Sequence, residues 1–169
     1  PIETIFRAYM ATSSTSTSLY QAWKRGDTTF AGHIIPEGLV ANGPLPYVMD
    51  TPSTKSEDHD VTSSAEEMIR QGDITSAQYT AIRNSGLVAF GMAAQVLRSK
   101  GIILVDTKFE HGINRAGKIV SQDEILTMDS SRFWLASDYE AQMERFNLGE
   151  LDELNPKSYS KEFARGFSE

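Results

Sequence analysis

Cysteine is absent from the 169-residue chain, so disulfide frameworks, thiolate zinc sites and cysteine nucleophiles are all excluded. Long apolar runs are lacking as well. The longest, Leu87 to Leu97, is too short to span a bilayer and is interrupted by Gly91 and Gln95. There is no basic excess: 16 Lys and Arg stand against 23 Asp and Glu, a net charge of −7. That balance argues against a general phosphate-backbone binder, which presents a basic face, though not against a small anion held by a few placed cations. No GxSxG, Walker A, GxGxxG or HExxH motif occurs, and His33, His59 and His111 lie in unrelated contexts. No signal peptide is visible. These absences leave a soluble cytoplasmic protein as the expectation, with no nucleic-acid and no membrane partner.

What is present is an ordinary globular composition, 40% apolar and 23% charged, in a length that suits one domain with a real core. The chain opens Pro1-Ile2-Glu3-Thr4-Ile5-Phe6-Arg7, with no initiator Met and no helix or strand start signal. It reads as a segment of a longer protein. Residues 11–18 are a hydroxyl-rich run, either a mobile surface loop or a loop whose hydroxyls and amides hold an anion. Residues 36–63, with Pro36, Pro44, Pro46 and Pro52, predict a second, long loop. The pattern then turns helical. Ser64-x-x-Glu67 caps a short helix that Gly72 stops. Thr75-x-x-Gln78 opens a longer one, whose Tyr79, Ile82, Gly86, Phe90, Ala93 and Leu97 form a core-facing stripe ending near Lys100 and Gly101.

Residues 102–110 (IILVDTKFE) predict a strand, buried at first and alternating later. Asp106, Lys108 and Glu110 take one face, and Val105, Thr107 and Phe109 the other. Asn114 to Gly117 predicts a four-residue turn that returns Lys118 to Leu126 as a second strand. With Ile113 opposite Lys118, Lys108 faces Asp123, and Glu110 is its diagonal neighbour; a slip of one residue would undo this. The ordinary reading of such a face is an exposed ladder of paired charges. Here, however, the charges emerge at the end of an apolar strand. Glu110 and Asp123 offer the hard oxygens of a Mg²⁺ pair, with room for water and phosphates. Lys108 between them limits their repulsion and can touch a phosphoryl oxygen. Downstream, Asp129-Ser130-Ser131 forms a turn, and Arg132 can grip an anion in a bidentate way. Tyr159 to Arg165 predicts a short amphipathic helix with Lys161 and Arg165 on one face.

Together these segments resemble SAICAR synthetase (phosphoribosylaminoimidazole-succinocarboxamide synthase), a ligase of purine biosynthesis. Leu104 to Gly112 is similar to the family's signature strand, and Pro1-Ile2-Glu3-x-x-x-Arg7 to the start of its other signature. Thr51 to Lys55, Asp123-Glu124 with Asp129 to Arg132, and Lys161-Glu162-Phe163-x-Arg165 match further blocks in the right order. The chain departs from the pattern at Thr12, where Gly is usual, at His111 in place of Phe, and at Met128 in place of Pro. The family's N-terminal lobe, whose glycine- and lysine-bearing strands cover ATP, has no counterpart here.

The resemblance implies an α+β fold: an antiparallel sheet flanked by helices, the larger C-terminal lobe of a two-lobed ATP-binding protein, over residues 1–169. The ATP cleft would lie on the sheet edge facing the missing lobe. The implied reaction joins L-aspartate to carboxyaminoimidazole ribotide, using ATP and Mg²⁺. Its poorly electrophilic carboxylate would be activated by phosphoryl transfer, as an acyl phosphate, before amine attack. By motif position, Lys108, Glu110 and Asp123 would bind nucleotide, the two carboxylates holding Mg²⁺. Glu3, Arg7, Ser13, Asp129, Ser131 and Arg132 would line the ribotide site, and Lys161 and Arg165 would hold its 5′-phosphate. Asp106 and Lys55 would join Lys108 as catalytic-site residues of unassigned role. Two alternatives stay open: a non-catalytic ribotide-binding or interaction domain, and an ATP-dependent phosphotransferase on a related scaffold that would not need the Asp129 to Arg132 block.

Overall fold

The computed structural model describes residues 2–55 and 60–159. In chain order its elements are β1 (Ile2–Tyr9), α1 (Leu19–Arg25), β2 (Thr29–Phe30), β3 (His33–Ile34), β4 (Pro44–Lys55) and β5 (Asp60–Thr62). They are followed by α2 (Ala65–Gln71), α3 (Ser76–Ser99), β6 (Ile102–Ile113), β7 (Ile119–Gln122), β8 (Ser131–Leu135), α4 (Ala136–Asn147) and β9 (Ser158–Tyr159). The architecture is α+β, as expected. One antiparallel sheet runs β5-β4-β1-β6-β8-β9, with β7 also paired to β6. No helix of the described residues is long and apolar enough to cross a membrane.

The two central helices form for local reasons. Ser64 Oγ accepts the Glu67 amide, and Gly72 closes α2 at φ 83°. A complete capping box at Thr75 and Gln78 opens α3. The buried positions of α3 are Tyr79, Ile82, Gly86 and Phe90, and this stripe covers one face of the sheet. The approach is close at Gly86, where a Cβ would collide with the Phe6 ring. On the opposite face, two further clusters form the core. One gathers Ile103, Val105, Trp134, Tyr139 and Leu154, and the other Met10, Leu19, Ala22, Ile35 and Met49.

Three expectations about the chain are corrected. The opening segment, which carries no strand start signal, is β1, paired on both sides. The loop expected over 36–63 contains the 12-residue β4. Its prolines are tolerated because, among the described residues, β5 pairs it only at Ser53 to Lys55, so Pro44 and Pro46 meet no ladder on that side. Finally, the hairpin register differs by one residue. Asn114 donates to Lys118 O at 2.9 Å and its Oδ1 accepts the Ala116 and Lys118 amides, while Gly117 takes φ 73°. This is a three-residue loop ending in a left-handed glycine, so Gln122, not Ser121, stands opposite Glu110. Asp123 falls outside β7 at φ 64° and does not face Lys108.

Candidate functional site

Antiparallel partners share a face of the sheet, and the register brings together residues far apart in sequence. Glu3 lies between Ser53 and Glu110, Ile5 between Thr51 and Lys108, and Arg7 between Met49 and Asp106. Asp106 is in turn paired with Arg132 of β8. A bulge makes that last pairing possible. Leu104 pairs Phe133 but Asp106 pairs Arg132, which leaves Val105 as the extra residue. The alternation expected for Val105 is overturned: it packs with Ile103 and Trp134, not with Phe109.

Two charged groups result. In the first, Lys108 Nζ lies 3.1 Å from Glu3 Oε2 and 3.3 Å from Glu110 Oε1. Both carboxylates are buried, at 6% and 8% exposed, whereas the lysine side chain keeps 35%. Burial alone would lower the Lys108 pKa, but the hydrogen bonds and charges of Glu3 and Glu110 outweigh it and raise it. Lys108 therefore does sit between two carboxylates, with Glu3 in the place expected for Asp123.

The second group is centred on Asp106, 5% exposed. Arg132 Nε donates to Asp106 Oδ1 at 2.9 Å, and Nη2 to Oδ2, a bidentate grip. Arg7 Nη1 reaches Oδ2 at 3.4 Å, and its Nε donates to Thr51 Oγ1 at 3.1 Å. Burial pushes the Asp106 carboxyl up, but Arg132 and then Arg7 override it and hold it below the ordinary carboxylate range. Arg7 is lowered to about 10, chiefly by burial. Arg132 Nη1 also donates to Thr12 O at 2.9 Å, so the hydroxyl-rich loop is tied to this cluster. Within that loop, Ser13 accepts the Thr15 amide and Ser18 caps α1, which gives it a defined conformation.

β7 and β8 lie end to end along the same edge of β6, and the connection between them carries Asp123 and Asp129. Asp123 is exposed and immediately follows the partner of Glu110. The turn containing Asp129 docks on β6 through Lys108 N donating to Ser130 O at 2.8 Å. Ser131 is a correction. It is 4% exposed and its hydroxyl is engaged with Thr107 Oγ1 at 2.8 Å, because alternation turns it away from the face of Arg132. Lys55 ends β4 opposite Asp60. Lys161 and Arg165, and with them the expected terminal helix, lie outside the described residues.

Two contributors escaped the sequence reading. Thr51 positions Arg7, and the Thr12 carbonyl positions Arg132. The Thr51-Pro52-Ser53 alternation could have signalled the first, had the prolines not suggested a loop. The backbone carbonyl left no signal.

The SAICAR synthetase family profile matches residues 1–167. A chloroplastic phosphoribosylaminoimidazole-succinocarboxamide synthase of Vigna aconitifolia is 39% identical over 98% of this chain and 46% of its own length. A solved SAICAR synthetase (Type-2) in complex with ADP matches with TM-score 0.63 at 27% identity, over 90% of this chain and 57% of that one. The SAICAR-synthase of Saccharomyces cerevisiae complexed with SAICAR matches with TM-score 0.65 at 26% identity, over 92% and 53%. The chain spans about half the length of the curated relatives it matches. On the extent of that profile match, the chain belongs to the SAICAR synthetase family.

Proposed function

We propose that this chain is the C-terminal lobe of an ATP-dependent ligase of purine biosynthesis, which joins L-aspartate to carboxyaminoimidazole ribotide to give SAICAR, ADP and phosphate. The observation that carries the reading is the juxtaposition, on one sheet face, of the Glu3–Lys108–Glu110 row and the Arg7–Asp106–Arg132 cluster. Family membership and the names of the relatives support it.

The donor set fits Mg²⁺. Among the described residues no group of three or more metal-binding side chains is assembled, but Mg²⁺ commonly takes only one or two carboxylates and fills its remaining positions with water and phosphate oxygens. Glu110 and Asp123 would be those carboxylates. When bound, ATP would supply the phosphoryl group that makes a carboxylate electrophilic enough for attack by the aspartate amine, and Mg²⁺ would neutralise charge on the phosphate oxygens. The protein's contribution is charge and position. Lys108, fixed by Glu3 and Glu110, places a partly exposed ammonium between the two carboxylates. Asp106 orients Arg7 and Arg132, so that their planar donors are set before the ribotide arrives. Glu3, Ser13 and Asp129 complete the ribotide side, Lys161 and Arg165 hold the 5′-phosphate, and Lys55 belongs to the same site. The adenine and part of the triphosphate would be covered by an N-terminal lobe outside this chain.

The test is ADP release by the full-length protein, which should require both aspartate and the ribotide. Asp123→Asn should lower turnover by about a hundredfold or more, since a metal-bound charge is worth several kcal/mol in the transition state. Ribotide binding without turnover would support a non-catalytic binding domain instead. Phosphoryl transfer independent of aspartate would support a phosphotransferase.

A further inference from the structure

Residues 12–18 (TSSTSTS) carry no apolar side chain, so burial alone cannot place the loop between β1 and α1, and hydrogen bonds must. At the start of the loop two bonds hold Thr12 from opposite ends. The Thr12 amide donates to Asn42 Oδ1 at 3.0 Å, and the Thr12 carbonyl accepts from Arg132 Nη1 at 2.9 Å. Further along, Ser13 O accepts from Gln21 Nε2 at 2.7 Å, and Ser16 O from Arg25 Nη1 at 3.0 Å. Asn42 is itself built in. It is 5% exposed, and its backbone takes the left-handed conformation, at φ 58°, which asparagine tolerates better than most residues. Its backbone amide donates to Met10 O at 2.8 Å, and its Nδ2 donates to Leu154 O at 2.8 Å. The side chain thus ties the loop after β1 to the segment between α4 and β9. An N–H at one end and a carbonyl at the other leave the side-chain amide a single orientation.

We propose that Asn42 is a positioning residue of the ribotide site, acting through Thr12 on Arg132. Asn42 fixes the peptide that precedes Thr12, and Arg132 engages the carbonyl of the peptide that follows it. The guanidinium held on Asp106 thereby gains an anchor on a second segment, and Ser13 enters the loop from a set point. Without the Asn42 acceptor the Thr12 carbonyl is free to turn, and the anchor at Arg132 Nη1 loosens. The inference rests on the ligase reading, which places the ribotide at Arg132 and Ser13, and adds to it a residue outside the family motifs.

The experiment measures ribotide and ATP affinities of the full-length protein by titration calorimetry, with urea denaturation of each variant as the control for folding. Asn42→Gly removes both side-chain bonds while suiting the left-handed backbone. It should weaken ribotide binding about threefold to tenfold, the value of one hydrogen bond, and leave ATP affinity within about twofold. Asn42→Asp keeps the oxygen that accepts from Thr12 and loses only the donor to Leu154 O. It should therefore bind the ribotide as the native protein does, even where it is less stable. If Asn42→Gly does not fold, an ester in place of the peptide bond between Ala11 and Thr12 deletes the donated N–H alone and should cause the same loss. Equal losses for ribotide and ATP, a ribotide affinity unchanged by Asn42→Gly or by the ester, or an Asn42→Asp variant as weak as Asn42→Gly would each overturn the proposal. Failure of the native protein to bind the ribotide would instead overturn the proposed function, and this inference with it.

Discussion

Asp106 shows how one carboxylate organises a site. It is buried, and two guanidiniums converge on it from different strands. Asp106→Asn keeps the shape but leaves both arginines without their counter-charge. Removal of one partner from a buried pair costs about 3–5 kcal/mol, so urea denaturation should show a loss of that order, and ribotide affinity of the full-length protein should fall with it. Because the folded Asp106 pKa lies below its ordinary 3.8, its stabilisation is present above that pH and lost as pH falls through the depressed value. His33 supplies the opposite limb. Its Nε2 lies 2.8 Å from Asp50 O and 3.5 Å from Asp50 Oδ1. The Asp50 hydrogen bond raises its pKa above 6.5 despite burial. That contribution is complete below pH 6.5 and is lost as pH rises through the raised value. Stability measured across this window should decline with pH in the native sequence, and His33→Gln should flatten the decline.

At the scale of the element, two glycines of the same helix predict changes of opposite sign. Gly86 faces the sheet, and a Cβ there would strike the fully buried Phe6 ring. Gly86→Ala should destabilise by about 1–3 kcal/mol, the cost of overpacking set against a small gain in helix propensity. Gly91 has nothing within 4 Å of an added Cβ, so Gly91→Ala should stabilise by about 0.5–1 kcal/mol. Chemical denaturation of the two variants checks both signs. α2 and α3 were legible in the sequence because each cap is a motif of four consecutive residues, Ser64 to Glu67 and Thr75 to Gln78. β4 was not, since its prolines carry a local loop signal and only pairing with β1 overrides it. α4 was equally hidden, for Leu135 provides no side-chain cap.

For the whole molecule, the proposed division of labour between two lobes makes a direct prediction. The 169-residue chain alone should catalyse no ATP-, aspartate- and ribotide-dependent turnover, because half of the nucleotide pocket would be contributed by the other lobe. Turnover by the purified chain would show that its own residues suffice. The sequence by itself determined the helical caps, the Asp106, Lys108, Glu110 alternation and the ordered motifs that carry the family, since all of these depend on spacing along one segment. Only the tertiary structure decided that Lys108 meets Glu3, that Asp106 anchors Arg7 and Arg132, and that Ser131 turns to the other face. The hairpin register, too, depended on how Asn114 and Gly117 build their turn. The contacts of Lys108 and Asp106 join residues about a hundred positions apart, and they are set by strand pairing and a bulge, which local periodicity does not encode.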